Sequence, residues 1–293
     1  MKSLLYSASR LALAVALAVL AYFIPAAAAP AAAAGALEAI GQSGVIRMGY
    51  LPSAPPFSFE QNGAPSGYSV QLCEAVAQDI GKRLGKPLRI EWVKLSLQNR
   101  LAAVQEGQVH VECSTTTWTL SRQEQVDFSL MTFIDGGTVL VRADSPTINL
   151  KELSGKRIGV VPGTTTESNL KRALEQRGIV AQVMPVSSPD RGLAMLAADE
   201  LDGYASDRLL LLALGLTTEG VKGLRLLDED FSVEPYALAL PRNDPDLRLA
   251  VNRGLAKLYR DGAIDGLFKR WFSLLGEPSV LLAALYYLQG IPE

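Results

Sequence analysis

The stretch Cys113–Gln123, CSTTTWTLSRQ, places six hydroxyl side chains and one arginine within eleven residues. Thr119 stands where a helix N-cap is expected, which puts Arg122 in the first helical turn. That end of a helix is partially positive and prefers acids, so a guanidinium there calls for an anionic partner. Thr115 and Thr117 would supply hydroxyl donors to the same anion. The plain alternative is a solvated turn with Arg122 paired to Glu124 or Asp127.

Three further stretches carry polar chemistry. In VVPGTTTESNL a strand ends, Gly163 turns, and a helix opens with Thr164 and Glu167 at capping-box spacing. The free N–H groups there, around Thr164 and Thr165, suit a carboxylate or a phosphate. No Gly-Lys-Ser/Thr follows, so a P-loop is excluded, and an ordinary capped helix is the simpler reading. In DGYASDRLLLL, Asp207 ends a strand ahead of an apolar helix and is either its N-cap or an acceptor for an ammonium. In SLQNRLAAVQEG, Arg100 falls in the first turns of a helix, as a second cation facing a ligand or as a surface arginine.

Catalytic groups are sparse. His110 is the only histidine and lies in a strand with no serine nucleophile motif beside it. His-x-Glu at 110–112 lacks the Pro-Cys-x-x-Cys of zinc deaminases. Cys73 and Cys113 are too few for a metal site, so neither a metal nor a cofactor is expected. Export would permit them to pair, and two core cysteines would look the same.

The chain has 293 residues and a formal charge of -2, with no basic stripe, which excludes nucleic acid as a natural partner. MKSLLYSASR, the apolar LALAVALAVLAYFI and the alanine-rich AAAAPAAAAG form the three regions of a secretory signal peptide over residues 1–34, with cleavage after Ala29 or Ala34. Losing Lys2 and Arg10 would take the charge from -2 to -4. The tail SVLLAALYYLQGI is too short to span a membrane and is expected as an amphipathic or docking helix.

The elements that must position these residues alternate. GVIRMGYL, LRIEWV and VHVEC have strand patterns. Between them lie a helix with the stripe Cys73, Val76, Ala77, Ile80 and Leu84, and one capped at Ser96 with Leu97, Leu101 and Val104. A second series follows: TVLVRADSP, KRIGVV, AQVMPV and DGYASD as strands, with helices after Gly163 and after Ser188-Pro189. YALALP is a strand before two closing helices. Two βαβ series predict parallel sheets in two α/β lobes, with a ligand in the crevice between them.

With these motifs in this order, the chain resembles the polar amino-acid-binding proteins of bacterial ABC importers. The resemblance rests on PPFSF…GYSVQLCEAV, STTTWTLSRQEQVDFS, VPGTTTES and LDGYASDR. Within that family it is most similar to the glutamate/aspartate-binding branch, through SLQNRLAAVQEGQVHVEC, GTTTE and RNDPDL. The resemblance implies an α/β, two-lobed periplasmic-binding-protein fold with two crossover strands. Residues 35–141 plus 239–293 would form lobe one and 142–238 lobe two. The ligand's α-carboxylate would meet Arg122, Thr117, Thr164 and Thr165, and its ammonium Asp207 and Thr115. Arg100 would face an acidic side chain, and Phe57 is counted among the contacts.

The chain departs from the branch where Leu51 replaces an arginine, Leu97 a serine and Pro189 a nearby histidine; Ala54 replaces an aromatic found in many relatives. The resemblance thus implies a monomeric periplasmic binding protein for a polar amino acid, with an acidic one as the narrower reading and a membrane permease as partner. An exported enzyme on the same fold, such as a cyclohexadienyl dehydratase, is the alternative, and a membrane sensor domain a third.

Overall fold

The computed structural model describes residues 35–217 and 223–293, so the leader expected over residues 1–34 lies outside the described residues. The first half of the chain runs α1 (Ala36–Ser43), β1 (Val45–Tyr50), β2 (Ser53–Ala54), β3 (Ser58–Gln61), β4 (Ala64–Ser66), α2 (Tyr68–Arg83), β5 (Arg89–Lys94), α3 (Arg100–Gln105), β6 (Val111–Glu112) and α4 (Leu120–Gln123). The strand β7 (Asp127–Arg142) leads to β8 (Arg157–Val160), α5 (Thr165–Gln176), β9 (Gln182–Pro185), α6 (Pro189–Ala197), β10 (Gly203–Asp207) and α7 (Arg208–Thr217). The chain closes with β11 (Leu224–Leu226), β12 (Ser232–Leu240), α8 (Pro245–Arg260), α9 (Ala263–Phe272) and α10 (Val280–Gln289).

The main sheet has the order β5-β1-β6-β12-β7-β10-β8-β9, with β11 on β7. At one end β5, β1 and β6 are parallel, and at the other β10, β8 and β9 are parallel. Helical crossovers α2, α3, α5 and α6 make this possible, as the two βαβ series predict. The centre is antiparallel. β12 pairs with β7 from Asp127↔Leu240 to Gly137↔Ser232, and beyond that β7 pairs with β10, from Gly137↔Asp207 to Val141↔Gly203. A single strand therefore serves both halves.

The sequence pattern showed only the C-terminal part of that strand. Asp135-Gly136-Gly137 breaks the apolar run and looks like a turn. The glycines are there for close approach instead: a Cβ on Gly137 would lie 2.5 Å from Ser232 Oγ, and one on Gly136 would run into the Asp230 carboxylate.

Each half-sheet is covered on both faces. Ile46, Met48, Leu72, Val76, Phe133, Leu238, Val251, Leu255 and Phe268 form one cluster, which takes in both α8 and α9. Leu51, Val104, Val109, Val126 and Ala239 form the cluster on the opposite face. In the other half, Val139, Val141, Ile158, Val160 and Leu170 pack on one side, and Leu140, Val186, Leu196, Leu201 and Tyr204 on the other. The alternation of Val139, Leu140 and Val141 between two clusters is the period-two pattern of a strand buried on both faces. The helix α10 is not amphipathic: Leu282 and Tyr286 are buried, while Val280, Leu281, Tyr287 and Leu288 are exposed.

Cys73 on α2 and Cys113 after β6 form a disulfide across a separation of 40 residues, inside the first cluster. Closing a loop of that length lowers the entropy of the unfolded chain by an amount worth about 4 kcal/mol. The variant C73A/C113A is expected to lose stability on that scale in denaturant unfolding, with reductant lowering the wild type but not the variant.

His110 is held inside the fold by Arg47. Its Nδ1 accepts the Arg47 N–H at 3.0 Å and its own N–H donates to the Arg47 carbonyl at 2.8 Å. Burial, and then the Arg47 charge, push the imidazole down to about 4. The unfolded chain therefore binds a proton at higher pH than the folded one. The stability from neutral His110 is complete above about pH 6.5 and is lost as pH falls toward 4, up to about 3 kcal/mol. Urea unfolding from pH 7 to 4 should show a smaller decline for H110N, which keeps an acceptor near the Nδ1 position.

Candidate functional site

A cavity of about 230 Å³ lies between the two half-sheets. Arg100, Thr115, Thr117, Thr164, Thr165 and Asp207 all line it, so six residues from distant parts of the chain meet at one cavity. Leu51, Ala54, Leu95, Leu97, Val161, Pro189 and Leu210 supply its apolar surface.

Phe57 is not part of it. Its ring is wholly buried among Phe133 at 5.0 Å, Phe272 at 5.2 Å and Tyr236 at 5.3 Å. The Pro-rich turn aims Ala54 at the cavity and sends Phe57 into the core.

The hydroxyl run is extended because it is stitched to β12. Trp118 N–H donates to the Pro235 carbonyl at 2.7 Å, Ala237 N–H to the Thr116 carbonyl at 3.1 Å, and Thr117 bridges Tyr236. Thr119 caps α4 by accepting the Arg122 N–H at 3.1 Å. Yet α4 is only four residues long, so the helix-end field is a minor influence on Arg122. The guanidinium folds back over the run, and Nη1 donates to the Thr117 carbonyl at 2.8 Å. It is partly buried and does not reach the cavity wall. Burial, and then the charge of Arg100, draw it down to about 10, so it stays protonated at neutral pH.

Arg100 is the first residue of α3 and is 5% exposed. The turn before it is closed reciprocally: Ser96 N–H donates to Asn99 Oδ1 at 2.7 Å, and Asn99 N–H to Ser96 Oγ at 3.2 Å. Arg100 Nη1 is buried with no hydrogen-bond partner. Among the described residues, neither Arg100 nor Arg122 has a carboxylate within 4.0 Å, so the pairings with Glu124 or Asp127 do not form. Two neighbouring guanidiniums, one buried and one partly buried, without ion-pair partners amount to an electrostatic demand for an anion.

The opposite pole is acidic. Asp207 Oδ1 accepts the Thr166 hydroxyl at 2.9 Å, and Oδ2 accepts the Tyr236 hydroxyl. Behind it, Asp135 Oδ2 lies 3.3 Å from the same Tyr236 hydroxyl and accepts the Leu209 N–H at 3.2 Å. The Leu209 N–H of the first turn of α7 thus goes to Asp135 on β7. Burial raises both carboxyls above the usual carboxylate range, and the charge of each one's acidic neighbour adds to it: Glu234 for Asp207, Asp207 for Asp135.

At the start of α5, Thr164 Oγ1 accepts the Glu167 N–H at 3.2 Å and Glu167 accepts the Gly163 N–H at 2.8 Å. The first-turn N–H groups of Thr165 and Thr166 have no acceptor within the helix.

Three residues of the site had no local signature: Asp135, Glu234 and Tyr236. Glu234 is wholly buried, and the Thr117 hydroxyl, expected to serve an outside anion, donates to it at 2.8 Å. An acid inside an apolar strand, as in SVEPYALAL and TFIDGGTVL, is the one sequence signal that Glu234 and Asp135 share, and Tyr236 has none.

A cavity with a cationic pole, an acidic pole and an apolar wall suits a small zwitterion. Comparison with known proteins agrees with that class. A glutamate/aspartate import solute-binding protein of Salmonella typhimurium is 27% identical over 243 residues, which is 82% of this chain and 80% of the relative. An L-glutamate/L-aspartate-binding protein of Pseudomonas aeruginosa is 26% identical over 242 residues, 82% and 80% of the two chains. The solved structure of an ancestral arginine-binding protein bound to arginine is 27% identical, with a TM-score of 0.70 over 78% of this chain and 98% of that one. The two half-sheets joined by β7 and β12 are the two-lobed periplasmic-binding-protein fold. Residues 46–274, most of the chain, match the family's pattern, and the chain belongs to the bacterial extracellular solute-binding proteins, family 3.

Proposed function

We propose that this chain is the periplasmic binding protein of an ABC-type importer and takes an amino acid with an acidic, glutamate- or aspartate-like side chain. The observation that carries the side-chain reading is Arg100: a guanidinium 5% exposed, on the cavity wall, with Nη1 unpartnered. A buried donor without an acceptor is costly, and a ligand carboxylate would relieve that cost. The relatives named for glutamate and aspartate favour the same reading. The apolar residues Leu51, Ala54, Leu95 and Leu97 line the same cavity and suit the aliphatic stem of such a side chain.

In this reading the α-ammonium meets Asp207, and the α-carboxylate meets the open N–H groups at the start of α5 and draws the Arg122 guanidinium toward it from its place behind Thr117. Residues 35–141 plus 239–293 act as one lobe and 142–238 as the other. A ligand held from both sides favours the closed arrangement, which the permease would recognise. The dehydratase alternative needs an acid able to donate a proton into the cavity. Asp207 has both oxygens occupied as acceptors, from Thr166 and Tyr236, which favours a binding role.

Calorimetry with a panel of amino acids tests this. L-glutamate or L-aspartate should bind most tightly. R122A should weaken every ligand about 100-fold, since it strands a buried carboxylate. R100L should weaken the acidic ligands by about tenfold or more while sparing neutral ones. Equal losses across the panel for R100L would show that Arg100 does not read the side chain.

Affinity should also depend on pH. Asp207 attracts an ammonium only when ionised, and its carboxyl is raised in the folded protein. Binding should therefore weaken as pH falls, beginning above the ordinary carboxylate range. Titrations from pH 8 to 5 would show it, and a flat profile would count against Asp207 as the ammonium acceptor.

A further inference from the structure

Asp135 on β7 is an acid that the ligand reading leaves without a task. It is 8% exposed, and among the described residues no arginine or lysine lies within 4.0 Å of it. Its surroundings are acidic instead. Asp207 faces it from β10, and Glu234 stands directly across from it on β12. Arg208, the first residue of α7, gives its charge to Asp230. These two and Glu277 line a second cavity, of about 660 Å³, which Asp135 borders and Asp207 does not. Like charges this buried and this close are costly, and the cost is relieved when one acid keeps its proton.

Hydrogen-bond polarity selects Asp135. The Tyr236 hydroxyl sits between the two aspartates and has a single proton. That proton goes to Asp207 Oδ2. Asp135 Oδ2, 3.3 Å from the same hydroxyl, then faces the lone pairs of the phenol oxygen. A carboxylate would be repelled there. A neutral acid donates to that oxygen and still has a lone pair on Oδ2 for the Leu209 N–H at 3.2 Å, while Oδ1 accepts the Gly136 N–H at 2.8 Å. Burial, and then the charge of Asp207, push the Asp135 carboxyl up in the same sense. The donors then run one way, from Asp135 at the second cavity through Tyr236 to Asp207 at the cleft.

We propose that Asp135 is a positioning residue: it stays a neutral acid and donates to Tyr236, so that Tyr236 donates in turn to Asp207 and keeps Asp207 the ionised member of the pair. It acts through Tyr236 and touches no ligand. Only its effect on affinity rests on the amino-acid reading of the cleft; its protonation is a property of the chain without ligand. The sign of the pH effect follows. In the unfolded chain Asp135 titrates in the ordinary aspartate range, near pH 4. The folded chain keeps a proton that the unfolded chain releases, so the stability from it is complete below about pH 4 and is lost as pH rises toward the raised folded value.

The test uses D135N, D135L and Y236F in the full mature chain, with infrared spectroscopy in D2O, urea unfolding and calorimetry on L-glutamate. At neutral pH the ligand-free wild type should show the C=O stretch of a buried neutral carboxylic acid, and D135N should remove it. Because D135N cannot titrate, its unfolding constant relative to that of the wild type should fall about tenfold per pH unit between about pH 5 and 7. D135N keeps a donor to Tyr236 and gives up the Leu209 N–H, and should raise the Kd less than about threefold. D135L has no donor and should raise it about tenfold or more. In the Y236F background D135L should cost less than about threefold more, because the two groups act as one unit.

An infrared band that D135N leaves unchanged would overturn the proposal, and so would a stability difference that stays flat from pH 5 to 8. Equal losses of affinity for D135N and D135L would overturn the donor role toward Tyr236. Were D135L not to fold, the infrared band and the pH dependence of D135N still decide whether Asp135 keeps its proton. Were the wild type to bind no amino acid, the amino-acid reading would fall by itself, and the same two measurements would still judge Asp135.

Discussion

The antiparallel pairing of β7 with β12 is the constraint on which the rest depends. Among the described residues, β7 pairs with strands of both half-sheets, and β12 ties it to β6 of the first. They bring Asp135, Glu234 and Tyr236 to the middle of the molecule, where no loop could hold them so firmly. The glycines at 136 and 137 let the two strands and the segment carrying Asp230 come close enough for that. The hydroxyl run after β6 is then fixed by bonding to the same stretch of β12. One pairing thus sets the relative position of residues far apart in the chain.

The centre of the molecule concentrates charge that a core ordinarily excludes. Arg100, Glu112, Asp135, Asp207 and Glu234 are all buried there. The acids are largely satisfied by hydroxyls, amides and backbone N–H groups, while Arg100 Nη1 and Glu112 Oε2 are left without partners. Satisfying acids with neutral donors keeps the two guanidiniums free of internal ion pairs. Had Glu234 or Asp207 paired with Arg100, the cavity would be neutral by itself and would have no strong pull on a zwitterion.

Much of the site was legible from local chemistry. Arg100, Thr115, Thr117, Thr164, Thr165 and Asp207 were singled out from caps, turns and strand ends, and all six line one cavity. Such residues are visible in sequence because helix starts and strand ends have characteristic residue types. Phe57 went to the core because a Pro-rich turn does not show which side chain points inward. Glu234 and Asp135 were passed over because a strand position reveals its partners only when the strands across from it are known.

The amino-acid sequence by itself determined the two βαβ series, the helix caps at Thr119, Thr164 and Ser188, and the polar residues placed at those ends. These follow from local propensity and periodicity, which act over a few residues. The tertiary structure alone decided that Cys73 and Cys113 pair, that β7 runs unbroken through Gly136-Gly137, and which donor meets which acceptor. The Thr117 hydroxyl shows the difference: its presence at a site was evident, but the direction of its proton depends on Glu234, 117 residues away. Hydrogen-bond polarity belongs to the pair of groups that meet, and only folding brings the pair together.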